Sequence, residues 1–331
     1  MGLIQPTIPP LPETLSFAGK SALVTGANSG LGLASCFHLV QRHISTLILA
    51  VRTRKSGEST RSALLADPVV RALPTKPTIL IYELDLGRPS SVAEFATKIR
   101  ADIPTLNILL LNAGIGTMAW QTTPETNTEQ MFQINYLSNA ILSVCLLPLL
   151  RHSGETFGSA SHLPIVGSRA QGLHTYAKYP IPDTTSIFAF LNDRAHYRGM
   201  QRYADSKVLV SMWLRALAAR VDASVVTVNN VCPGMVSTNI DGKEAWWLRQ
   251  IVRFIQAIRG RSPEVGARTL IYAVSAGSQT HGEMLIDYNV WENKFVNTAQ
   301  GRSMAKRLWA ETLAAAEEIA SGAVREANLE D

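Results

Sequence analysis

Apolar positions along this chain fall into two alternating rhythms. Short continuous apolar runs occupy 20–25, 46–51, 78–84, 106–111, 163–167, 224–231 and 283–286, each of a length that suits a buried strand. Between them lie longer stretches with a helical period: from the turn after Thr25 to about Arg42, then 89–100, 125–150, 201–220, 263–276 and 302–320. In the 201–220 stretch the recurring apolar set is Tyr203, Val208, Leu209, Met212, Trp213, Leu217 and Ala218. Strands alternating with helices predict β-α-β units, hence a parallel sheet covered on both faces, with ligands at the carboxyl ends of its strands. The pattern therefore predicts one doubly wound α/β domain over 18–300, built on about seven strands. A proline-rich, loosely draped leader (1–17) precedes it and a charged C-terminal helical extension (301–331) follows. No internal repeat or linker divides the chain.

Composition narrows the class. At 331 residues, 46% hydrophobic and 17% charged, the chain can bury a large core and is not generally disordered. The net charge of +5 is scattered, with local density at Arg52-Thr53-Arg54-Lys55 and from Arg249 to Arg261. No run of like charge or nucleic-acid motif accompanies it, so it fits a multiply phosphorylated small ligand better than nucleic acid. Cys36, Cys145 and Cys232 have no C-x-x-C spacing, and Cys145 falls on an apolar helix face, so core thiols in a reducing compartment are expected. The histidines lack metal-ligand spacing. The start has no apolar signal-peptide core, and the run Ala140–Leu150 is too short to span a bilayer. A cytoplasmic protein is the expectation.

Several segments carry candidate chemistry. The first strand runs into Gly26-Ala27-Asn28-Ser29-Gly30-Leu31-Gly32 and then a helix. Strand, glycine turn and helix together make a pyrophosphate site, with backbone N–H groups and a positive dipole end facing the phosphates. At the end of the second strand an acidic residue would bond a ribose 2′-hydroxyl; here Val51 is followed by Arg52, whose guanidinium suits a 2′-phosphate. Arg52 as a solvated loop charge is the plainer alternative. Asp85-Leu86 closes the third strand, with Asp85 either touching an adenine or capping a turn. Asn112-Ala113-Gly114 closes the fourth with small residues where backbone must approach a ligand. Asn135 lies amid apolar neighbours and needs a definite hydrogen-bond partner. Ser168 ends the fifth strand. Residues 169–198 then depart from regular pattern, and Tyr176, Tyr179, Phe188, Phe190 and Tyr197 within them are expected to wall a pocket.

Tyr203 and Lys207 are four residues apart, so phenol and ammonium share a helix face. A fixed cation beside a phenol favours the phenolate and brings it towards working pH. Beyond the sixth strand comes Cys232-Pro233-Gly234-Met235-Val236-Ser237-Thr238. The stretch 246–258 carries Trp247, Ile251, Phe254, Ile255 and Ile258 on one face and basic residues opposite, which suits a pocket lid or a membrane-surface helix.

These pieces together resemble the short-chain dehydrogenase/reductase family, in the family's order across 20–290: Thr25-Gly26-(x)3-Gly30-x-Gly32, Asp85, Asn112-Ala113-Gly114, Asn135, Ser168, Tyr203-(x)3-Lys207 and Pro233-Gly234-(x)3-Thr238. The spacing of Ser168 from Tyr203, with the basic Arg52, resembles the retinol-dehydrogenase-like branch and its fungal relatives. The resemblance implies a Rossmann-type fold binding NADP(H) through Thr25, Gly26, Asn28, Ser29, Gly30, Leu31, Gly32, Arg52, Asp85, Leu86, Asn112, Ala113, Gly114, Tyr203, Lys207, Pro233, Gly234, Val236 and Thr238. It also implies catalytic roles. Tyr203 exchanges a proton with the substrate oxygen, and Lys207 lowers the phenol's pKa and binds the nicotinamide ribose. Ser168 hydrogen-bonds the carbonyl, and Asn135 holds a water of the proton relay. The family usually carries a second serine where this chain has Gly167, which suggests slightly looser packing there.

The expected activity is reduction of a ketone or aldehyde on a bulky, mostly apolar small molecule, in specialised metabolism, with substrate loops at 171–200 and 239–262. A homodimer through the helices at 125–150 and 201–220 is open, since the C-terminal helix blocks or adds contacts. Two other readings differ in class: a cofactor-bearing enzyme catalysing an isomerisation, epimerisation or cyclisation without net redox change, and a dinucleotide-binding protein without turnover.

Overall fold

The computed structural model describes residues 5–236 and 260–330. Eight strands form one sheet in the order β3-β2-β1-β4-β5-β6-β7-β8. They are β1 (Ser21–Thr25), β2 (Thr46–Val51), β3 (Thr78–Glu83), β4 (Ile108–Leu110), β5 (Ser161–Val166), β6 (Val226–Cys232), β7 (Met284–Ile286) and β8 (Asn289–Trp291). All neighbours pair in parallel except β7 and β8. That antiparallel edge strand is the one added to the seven expected; its turn places Asp287 and Tyr288 at φ 53° and 69°.

Both faces of the sheet are covered, as near-continuous burial of β1, β2, β5 and β6 requires. The helices that matter below are α1 (Gly30–Val40), α2 (Arg54–Ala66), α3 (Pro89–Asp102), α4 (Ser138–Phe157), α5 (Gly199–Ala218), α6 (Pro263–Ala273) and α7 (Ala299–Ile319). α1 and α6 pack together on one face, and α3, α4, α5 and α7 build the core on the other. The stretch leading into α4 starts at Gln130, where the buried Glu129 carboxylate accepts from the Met131 and Phe132 N–H groups, each at 2.9 Å. Gln133–Leu137 is a π-helical turn, and Gly158 at φ 60° ends α4. Gln130–Phe157 is long and apolar enough to cross a membrane, yet 83% of its most apolar window is buried inside the protein. It is a core helix.

Two segments differ from expectation. The leader is packed from residue 5 onward rather than loosely draped: Ile8, Leu11 and Phe17 are buried, and body side chains bond its carbonyls. At the other end, α7 lies against α4 and α5. Trp309 stacks on the buried Trp213 with centroids 4.7 Å apart, and Tyr136 is hydrogen-bonded to Thr312 at 2.7 Å. The C-terminal helix is therefore part of the core.

Candidate active site

The sheet order reverses between β1 and β4, and the crevice beyond their carboxyl ends is where a doubly wound fold places its ligand. Thr25 stitches that edge. Its hydroxyl accepts from Asn112 N at 2.9 Å and Ala113 N at 3.0 Å, while Asn112 Nδ2 donates to Thr25 O at 2.9 Å. Both side chains bond within the protein and shape this edge of the crevice. Gly26 at φ 65° makes the turn. A Cβ on Gly32 would lie 2.7 Å from Asn112 Nδ2 and collide with the Gly26 carbonyl, so α1 seats closely on the turn only because residue 32 has none. Ser29, the N-cap of α1, makes no side-chain capping bond, and Asn28 and Ser29 are exposed. This cradle fits a phosphate-bearing ligand.

Around it the other expected contacts divide. Arg52 is exposed at the end of β2 and forms no ion pair with a described residue. The Asp85 carboxylate accepts from Gly87 N at 2.9 Å, the turn role open to it, and Leu86 is buried. Gly114 is exposed, and a Cβ there would stand 3.1 Å from Asn135 Oδ1 and 3.5 Å from Lys207 Nζ. The side chains of Val236 and Leu31 both lie against Gly266, so α6 borders the Pro233-Gly234 turn and the first turn of α1 together. Thr238 and the 246–258 helix lie outside the described residues.

Tyr203, Lys207, Ser168 and Asn135 converge opposite Gly114. The Ser168 hydroxyl faces the Tyr203 phenol closely enough to favour its ionised form, and accepts from Ala170 N at 3.1 Å. Lys207 Nζ donates to Val166 O at 2.8 Å and stands 5.8 Å from the Tyr203 ring centroid. Burial lowers the Lys207 ammonium to about 8. Tyr203 goes the other way from the sequence expectation. Burial raises its phenol, and the neighbouring Ser168 hydroxyl opposes this only in part, while the Lys207 Nζ donates to the Val166 carbonyl. A raised pKa keeps the phenol in its proton-donating form.

Asn135 finds the partner its burial demands. Its Oδ1 accepts from Ile115 N at 2.7 Å, and its Nδ2 donates to Ile115 O at 2.9 Å and Ser206 Oγ at 3.1 Å. The side chain thus fixes the loop after β4 beside Tyr203, where Gly116 faces the phenol ring. A water-holding role for this side chain is left with little free hydrogen-bonding capacity.

The packing at Gly167 is tight rather than loose. A Cβ there would collide with the Asn230 side chain of β6, which fills the space beneath the end of β5 and donates to Ser211 Oγ at 2.7 Å. Among the aromatic residues in 169–198, Tyr197 meets the loop after β4, bonding Ala119 O at 2.9 Å and meeting the Trp120 ring edge-on at 5.2 Å. Tyr176 is buried in the core, Phe188 packs on Phe132, Phe190 stacks on His196 and Tyr179 is exposed. Sequence reasoning missed a buried charge cluster behind Tyr203: Arg202 stands 3.8 Å from Glu129, while Asp205 accepts from Thr175 N at 2.7 Å. No local pattern marks such a cluster.

The model of the short chain dehydrogenase family matches residues 20–161 and 191–248, and with them most of the site just described. The chain belongs to this family. Among curated relatives, the short-chain dehydrogenase/reductase tropG of Talaromyces stipitatus is 36% identical over 311 residues, covering 93% of this chain and 94% of that protein. The short chain dehydrogenase yanD of Aspergillus niger is 36% identical over 312 residues, with the same coverage of each. Among solved structures, a Pseudomonas aeruginosa RhlG/NADP active-site complex matches at TM-score 0.60 and 22% identity, covering 84% of this chain and 99% of that one. The family members are oxidoreductases that bind a nicotinamide cofactor, and the glycine cradle, exposed Gly114 and the Ser168–Tyr203–Lys207 group fit one.

Proposed function

We propose that this family member is an NADP(H)-dependent reductase of a ketone or aldehyde on a bulky, mostly apolar small molecule, reversible as an alcohol dehydrogenase. The observation that carries it is the Ser168 hydroxyl facing the Tyr203 phenol beside the buried Lys207, opposite an exposed Gly114. A bound nicotinamide supplies the hydride for the carbonyl carbon. Tyr203, kept neutral by burial, donates its proton to the developing alkoxide, and the Ser168 hydroxyl shares the negative charge through a hydrogen bond. Lys207 holds an ammonium close by on Val166 O, and Asn135 fixes the loop that limits where the substrate lies.

NADP preference rests on Arg52, an exposed cation without an ion pair among the described residues, where NAD-preferring enzymes keep a carboxylate. The apolar substrate class is supported by Trp120, Tyr197 and the exposed Met118 and Met235 near the site. Fungal relatives support a place in specialised metabolism, and the buried free cysteines suit the cytoplasm. Binding of NADPH and NADH to wild type and Arg52→Asp tests the reading. NADPH should weaken about ten- to hundred-fold in the variant, the worth of a hydrogen-bonded charge, and NADH should become the tighter ligand. Equal binding of both by wild type would remove the NADP assignment.

A further inference from the structure

We infer that residues 5–9 are a strap that positions the nicotinamide end of the cofactor site, with Gln5 as its positioning residue. This rests on the NADP(H) reading proposed above and on the family resemblance, which implies that Val236 and Thr238 contact the carboxamide of the nicotinamide, so that the Pro233-Gly234 turn lies at that end of the cofactor. Gln5 treats Met235 as a strand neighbour would: its Nε2 donates to Met235 O at 2.9 Å, and its Oε1 accepts from Met235 N at 2.8 Å. One side chain 230 residues away in sequence thus bonds both polar groups of Met235, as the acceptor of its N–H and as a second donor to its carbonyl beside Arg261 N at 2.9 Å.

The rest of the strap is gripped from the body of the domain. Buried Arg261 donates through Nη2 to Pro6 O at 2.7 Å and through Nη1 to Pro233 O at 3.2 Å, and pairs with Asp287 at 2.7 Å. Arg268 Nη1 donates to Ile8 O at 3.1 Å, and the Tyr288 hydroxyl to Pro9 O at 3.3 Å. Prolines have no N–H, so at Pro6 and Pro9 the strap offers only carbonyls, and each receives a side-chain donor from elsewhere in the fold. A loosely draped leader would show no such matching.

Two features link the strap to the site. Gly234 sits at φ 79°, and a Cβ there would collide with Gln5 Oε1, so this glycine makes the turn and also admits the strap. Beyond Met235, Val236 pairs with Arg261 in a parallel bridge, and its side chain and that of Leu31 in the first turn of α1 both lie against Gly266. Loss of the Gln5 side chain leaves Met235 N without its acceptor while Arg261 still donates to Met235 O at 2.9 Å and to Pro233 O, so the turn loosens on one side, and the glycine turn and Arg52, which hold the phosphate end, stay untouched.

The test compares affinities of full-length wild type and Gln5→Ala for NADPH and for 2′,5′-ADP, which lacks the nicotinamide. NADPH binding should weaken by about five- to thirty-fold, the factor that one or two kcal/mol corresponds to. Binding of 2′,5′-ADP should stay within about two-fold, the size of an ordinary surface change. An unchanged NADPH affinity overturns the proposal. So does an equal loss for both ligands, which would make the strap merely structural. If Gln5→Ala folds poorly, Gln5→Asn, one methylene short of Met235, gives the same comparison. Failure of the underlying reading shows in wild type, which would then bind neither ligand. If wild type prefers NADH, NADH and ADP replace the pair and the same ratio decides.

Discussion

Replacing Lys207 by methionine should change how stability depends on pH. Burial lowers this ammonium from its ordinary 10.5 to about 8, so between those values the folded protein has released a proton that the unfolded chain still holds. A base with a depressed folded pKa weighs against folding below the folded value, and the cost is relieved as pH rises towards the unfolded one. The shift corresponds to about 3 kcal/mol against the folded state near neutrality. From about pH 7 to about pH 9.5, roughly 2 kcal/mol of that should be relieved. Loss of the hydrogen bond to Val166 O adds a constant offset, and subtracting the Lys207→Met curve cancels tyrosines and cysteines that titrate in the same range. Urea unfolding of both proteins across the window measures the difference. Wild type should gain about 2 kcal/mol on the variant; a flat difference would refute burial as the cause. Turnover runs the other way. Reduction uses the ammonium, so wild-type kcat/KM should fall above about pH 8, and Lys207→Arg should shift that limb upward.

Tyr203→Phe removes the proton donor and should lower kcat about 10²- to 10⁴-fold while NADPH affinity stays unchanged, read by steady-state kinetics and titration. Gly167→Ala should destabilise by about 1–3 kcal/mol through overpacking against Asn230. In an Asn230→Ala background that cost should largely vanish, which a double-mutant cycle of unfolding free energies would register. Trp309→Ala opens the stack on Trp213 and should cost about 3–5 kcal/mol, lowering the denaturation midpoint with kcat/KM of the folded fraction unaltered.

The strand-turn-helix around Gly26 was legible because local rules act there: a buried run, a positive φ and a helix start lie within a few residues. Most strands and helices followed from period alone, as with Thr46–Val51, found at the bounds the apolar run implies. Tyr203 and Lys207 were legible for the same reason, since helical spacing puts them on one side. What escaped depends on pairs distant in sequence. Gly167 read as looser packing because its neighbour Asn230 belongs to another strand. The leader read as slack because proline richness says nothing about Arg261, Arg268 and Tyr288 waiting for its carbonyls. Tyr176 looked like a pocket wall because an aromatic in an irregular segment has no period to reveal that it faces the core. The phenol's direction of shift failed because spacing fixes where Lys207 points along the helix but not that Val166 O claims its proton.

The C-terminal helix α7 has a consequence for association. Where α4 and α5 meet it, their side chains are already enclosed by their own chain, with Arg220 lying 4.2 Å over the Trp309 ring and Glu311 accepting from Ile187 N at 2.8 Å. A second molecule seeking those same faces would have to peel away a segment whose contacts compare with the whole margin separating folded from unfolded chains. Displacement there would be a partial unfolding reaction, so docking by that route would be slow and strongly temperature-dependent.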